Sequence, residues 1–90
     1  MRNEDVLQEL ETAAGKLDVK VSYEALQAVA GAGGMCRVKG QFRIIIDKRA
    51  QVSERVATLA QGLAQFDTSE LELSSQARDL VRHYAMRRAG

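Results

Sequence analysis

Over residues 6–17, Val6, Leu10, Ala13 and Leu17, with Leu7 and Ala14 beside them, recur at steps of three and four. That is the spacing of one buried helix face. Asn3 stands ahead of them as an N-cap, Glu4 and Asp5 suit the positive end of a helix dipole, and Gly15 offers a stop. A helix is therefore predicted over residues 4–15. The period then drops to two. In DVKVSY, Val19, Val21 and Tyr23 alternate with Lys20 and Ser22, which predicts a short half-buried strand. YEALQAVAGAGG opens on helix formers and ends in glycine, giving one or two helical turns and a flexible connection.

MCRVKGQFRIIID divides at Lys39-Gly40 into two strand-like runs, with Gly40 suited to the positive φ of a tight hairpin turn. Cys36 and Val38 fall on one face of the first run, Arg37 and Lys39 on the other. In the second run Phe42, Ile44 and Ile46 face one way, and Arg43 and Ile45 the other. An apolar Ile45 on the side that ought to be wet marks this strand as central. Val52, Val56, Leu59, Leu63 and Phe66 then return to helical spacing, with Gly62 marking a close approach of backbones. DTSELEL reads as a connector. Ser74 or Ser75 caps a last helix whose inner face is Ala77, Leu80, Val81 and Tyr84.

The predicted order of elements is α-β-(α)-β-β-α-α. The fold class is α+β, a small antiparallel sheet of about three strands with helices packed mainly on one face. Ninety residues make a single domain over 1–90, since two halves could not each bury a core. With 46% hydrophobic residues but only 4% aromatic ones, that core is aliphatic. The longest run of large apolar side chains, Ile44-Ile45-Ile46, falls far short of the roughly 20 residues that span a bilayer. One cysteine cannot close an internal disulfide. The expectation is a cytoplasmic protein with no membrane contact.

Charge is uneven although its total is only +1. Residues 1–24 are net −3, 25–50 net +4, 51–70 net −2 and 71–90 net +2. The two basic stretches nominate a partner-binding surface of Arg37, Lys39 and Arg43 on the outer side of the hairpin, joined by Arg82 and Arg88. Other chemistry finds little to work with. Gly31, Gly33 and Cys36 give G-x-G-x-x-C followed by a strand, where a dinucleotide fingerprint needs a third glycine and a helix. There is no Gly-Lys-Ser or Gly-Lys-Thr, so a P-loop is excluded. Cys36 reads as a packing residue, and His83, the only histidine, as a boundary residue; together they are too few for a zinc site. No catalytic, cofactor-binding or metal-binding residue is nominated.

A glycine-rich entry, a hairpin ending in IIID and a helix beginning near SERVATLA resemble the core of ImmA/IrrE-type metallopeptidase-like domains, over roughly residues 17–67. The resemblance implies an N-terminal helix, a small sheet and an active helix bearing H-E-x-x-H. That motif would fall on QGLAQ, where Gln61 stands for the first histidine, Gly62 for the glutamate and Gln65 for the second histidine. The ligands and the general base are absent from these positions, so the resemblance implies a scaffold without peptidase activity. GGMCRVKGQFRIIID is also similar to a segment of small bacterial proteins, a likeness that brings no function with it. The functional expectation is a non-enzymatic binding or regulatory module without a cofactor, acting on another protein or on itself. Nucleic-acid binding through the basic hairpin and C-terminal helix is the alternative. A degenerate scaffold retaining small-molecule or metal binding is a second.

Overall fold

The computed structural model describes residues 2–25 and 33–89, except the side chains of residue 33 and of residues 87–89. The elements are α1 (Asn3–Lys16), β1 (Lys20–Glu24), β2 (Gly33–Val38), β3 (Gln41–Asp47), α2 (Val52–Leu63) and α3 (Ser75–Ala89). Of YEALQAVAGAGG, residues 23–34, where one or two helical turns and a connection are expected, residues 26–32 lie outside the described ones, while Tyr23 and Glu24 belong to β1 and Gly33 and Gly34 to β2.

Helix α1 begins one residue earlier than expected, because the Arg2 amide donates to the Asp5 carboxylate at 3.4 Å and makes Arg2 the cap position. It also runs through Gly15. Its stop is Asp18, which takes the left-handed conformation at φ 59°. The Asp18 amide then donates to the Gly15 carbonyl at 3.1 Å and the Val19 amide to that of Ala14 at 2.9 Å. This paired closure ends the helix and turns Val19 directly into the core. The sharp exit brings β1 back along α1.

The α+β class and the three strands hold, but the sheet is mixed rather than antiparallel. Its order is β1-β3-β2. β2 pairs antiparallel with β3 across the hairpin, whereas β1 pairs with β3 in parallel, Val21 opposite Ile44 and Tyr23 opposite Ile46. The reason lies in β3. It is the most apolar strand, with Ile45 on its second face, so it takes the centre, where both of its edges are paired. The more polar β1 and the glycine-containing β2 are left outside.

Both helices that touch the sheet lie on the face of Phe42, Ile44 and Ile46. Ile44, Ile46, Leu10, Leu59 and Leu63 are fully buried there, and Ala77 and Val81 add α3 behind α2. At about 25 cal/mol per Å² of apolar surface removed from water, side chains like these supply the main stabilisation. A Cβ on Gly62 would stand 2.6 Å from Ile44 Cδ1, so only glycine lets α2 settle this closely on β3. Phe66, just beyond α2, meets Phe42 edge-on with ring centroids 5.2 Å apart.

The remaining connections are fixed by polar contacts. The Glu9 carboxylate accepts from both the amide (2.8 Å) and the hydroxyl (2.7 Å) of Ser74, whose own hydroxyl oxygen accepts from the Ala77 amide at 3.2 Å. This ties α1 to the start of α3 and makes Ser74, of the two serines expected, the cap. Arg78 donates to the Leu71 carbonyl at 2.5 Å and braces the connector. Among the described residues, no helix is long and apolar enough to cross a membrane.

Candidate functional site: a groove beside the outer strand

The hairpin turn sets the geometry of the site. Lys39 at φ 51° and Gly40 at φ 83° form a two-residue turn of the left-handed type that suits the twist of the strands. Such a turn admits one register, with Val38 opposite Gln41, Cys36 opposite Arg43 and Arg37 opposite Phe42. Residues that face each other across two strands project from the same side of the sheet. Arg37 therefore lies on the helical side, its guanidinium 5.1 Å from the centre of the Phe42 ring. Arg43 lies on the opposite side with Cys36, and by register beside Lys20.

This corrects the expected basic surface. Arg37 and Arg43 do not share a face: the sheet separates them, and Lys39 stands at the hairpin tip. Arg82 is on α3, where it pairs with Asp79 at 3.8 Å with both groups exposed. The Arg88 side chain lies outside the described residues. Cys36 is not a core residue either. It is half-buried on the open face, near Val38, which is 45% exposed. The inward position on β2 belongs to Met35, opposite Ile44.

The same register determines the outer edge of β2. The pair next to a two-residue turn exchanges both of its hydrogen bonds, and such pairs alternate with pairs that exchange none. Val38 and Cys36 accordingly spend their backbone groups on β3. Met35 and Arg37 direct theirs away from it, and among the described residues no strand pairs with that edge. Gly34, just before Met35, holds φ 148°, a conformation that side-chain-bearing residues seldom adopt. The glycine entry thus shapes the strand.

Along this edge runs a groove of 390 Å³ between β2 and α2. Thr58, Gln61, Gly62 and Gln65 line it at steps of three, one and three, one stripe of a helix surface. Met35 lies across from them and Tyr84 joins from α3. The Thr58 hydroxyl is spent on the Glu54 carbonyl at 3.0 Å. Among the described residues, the Gln61 and Gln65 amides and the Tyr84 hydroxyl make no side-chain hydrogen bond, and Arg37 and Lys39 make no ion pair. Sequence reasoning placed Tyr84 on the inner face of α3 and met the two glutamines only as positions of a lost motif. The signal within reach was the 58–61–62–65 stripe around a glycine.

The opposite edge is arranged otherwise. The Tyr23 hydroxyl donates to the Glu11 carboxylate, and Arg55 lies over the Tyr23 ring at 5.1 Å. Arg55 also donates to the carbonyls of Ala50 at 2.9 Å and Lys48 at 2.7 Å. Burial, and then the neighbouring Glu11 carboxylate, push the Tyr23 phenol up to about 12.

Among the described residues, no three His, Cys, Asp or Glu side chains converge on a point that could hold a metal ion. Where an H-E-x-x-H motif would fall, Gln61 and Gln65 border the groove and Gly62 is buried against Ile44. Comparison with family models, with curated proteins and with solved structures finds no match to this chain.

Proposed function

We propose that the chain is a non-enzymatic binding module that holds a partner protein in the groove between β2 and α2. The observation that carries this reading is the convergence of three unspent polar side chains, Gln61, Gln65 and Tyr84, on a concave surface floored by Met35 and Gly62. Binding sites combine apolar lining with a few placed polar groups in this way. Polar ends without an internal partner contribute little to folding but fix a ligand's orientation when one arrives.

The test places a photo-crosslinking amino acid at Gln61 or at Gln65 in the full chain in cells, with the exposed Gln8 on α1 as the control site. The expected result is a discrete protein adduct from positions 61 and 65 and none from position 8. Adducts equal at all three positions, or absent from 61 and 65, would overturn the reading.

A second reading, nucleic-acid binding, is favoured by one observation: Lys20 and Arg43 lie side by side on the open face of the sheet. If several phosphates are neutralised there, affinity for a short RNA or DNA falls steeply with salt. No gel shift at low salt would remove it.

A further inference from the structure

We infer that the outer edge of β2 takes an extended, acidic segment of the partner protein as a fourth strand of the sheet, an inference that rests on the groove being the partner site. Three independent features of the molecule meet there. The backbone groups of Met35 and Arg37 point outward from β2 and have no strand to pair with among the described residues. An edge of this kind recruits an extended chain through main-chain hydrogen bonds, and pockets for alternate side chains then select its sequence. The groove supplies those pockets. Because Met35 and Arg37 project toward the helical side, side chains of an added strand on that side enter between β2 and the Gln61–Gln65 stripe.

Charge decides which extended chain fits. Arg37 is exposed and, among the described residues, engaged only with the Phe42 ring, and Lys39 follows two residues later at the tip. Neither has a carboxylate partner among the described residues; the ion pairs present there are Arg2–Glu4, Arg49–Asp47 and Arg82–Asp79. Strand rise places Met35 and Arg37 about 7 Å apart. A ligand residue in the groove beside Met35 therefore has its second neighbour at the Arg37 guanidinium, where an Asp or Glu forms a charge-assisted pair. A second copy of this chain adding its own β2 to the edge would bring a second Arg37 and Lys39 to the same short edge, the less favourable occupant.

The experiment uses the full chain and three fluorescein-labelled seven-residue peptides: one alternating Glu with Val and Thr, the same with Lys for Glu, and the Glu peptide interrupted by proline. Fluorescence anisotropy is expected to show saturable binding of the Glu peptide, with the other two at least tenfold weaker. Arg37→Glu should weaken the Glu peptide tenfold or more and rescue the Lys peptide. Met35→Pro deletes one outward amide, a position where an edge strand accepts proline, and should abolish binding; because the Met35 side chain also packs against the core, the melting temperature should fall as well. If that variant fails to fold, the Arg37→Glu charge exchange at an exposed site still decides. Equal affinity for the Glu and Lys peptides, indifference to Arg37→Glu, or a concentration-dependent dimer that Met35→Pro dissolves would each overturn the inference. A cellular partner crosslinked from Gln61 that docks as a helix would also sink it while leaving the groove as the partner site. Absence of any groove-dependent partner would sink both.

Discussion

The two outer strands of this sheet are treated differently by the rest of the chain. At β1 the polar groups are used up inside the molecule: Tyr23 donates to Glu11, and Arg55 covers the ring while holding two carbonyls of the turn after β3. At β2, Gln61, Gln65 and Tyr84 line a groove with their polar ends unspent among the described residues, and Arg37 on the same strand meets only the Phe42 ring there. The first arrangement contributes to folding. The second contributes little to folding and leaves its hydrogen-bonding capacity for something else. Stability should therefore respond to changes on the β1 side and in the core, and partner binding to changes on the β2 side.

The largest expected effect removes the frame on which both edges hang. Leu59→Asp puts a charge among fully buried side chains and should abolish cooperative unfolding, while Leu59→Ala should cost about 2–5 kcal/mol by chemical denaturation. Next is Gly62→Val, which forces side-chain atoms into Ile44 and should cost about 1–3 kcal/mol from overpacking. Because Gly62 also lines the groove, its variant should weaken partner crosslinking as well. Glu9→Ala strips Ser74 of two hydrogen bonds that join α1 to α3 and should cost about 1–2 kcal/mol.

The β1 edge carries a pH signature. Tyr23 ionises near pH 12 in the folded chain but near its ordinary 10 when unfolded. The unfolded chain therefore releases this proton first, and stability should fall as pH rises from about 10 toward 12. Tyr23→Phe should lack that part of the alkaline loss, as seen in melting temperatures measured across the window. The smallest effects belong to the other edge. Arg37→Ser and the double variant Gln61→Ala/Gln65→Ala should each change stability by no more than about 0.5 kcal/mol. A loss of 2 kcal/mol there would erase the contrast between the edges.

Sequence reasoning reached what is local. The helix stripes of α1 and α2, the Lys39-Gly40 turn, the central place of β3, a cap at Ser74 or Ser75 and tight packing at Gly62 each follow from spacings within a few residues, although the neighbour at Gly62 is the Ile44 side chain and not the expected backbone. It missed the parallel pairing of β1, because nothing in KVSYE states which way its neighbour runs. It also put Arg37 with Arg43 on one outer face: strand alternation was read correctly within each run, but the register of the hairpin, which decides which faces coincide, was not carried across the turn. Asp18 as the helix stop was hidden behind Gly15, since an aspartate in the left-handed conformation leaves a weaker mark than a glycine. The groove was the least legible. Two glutamines and a tyrosine are ordinary residues until the fold shows that, among the described residues, nothing has claimed their polar ends.

Amide hydrogen exchange, followed by NMR on the full chain with and without the Glu-containing strand peptide, tests the contrast most directly. The amides of Met35 and Arg37 should exchange freely in the isolated chain and become protected when the peptide is bound, while Cys36, bonded to β3, stays protected throughout. Protection of Met35 and Arg37 in the isolated chain, or free exchange with the peptide at saturation, would contradict an open β2 edge kept for a partner.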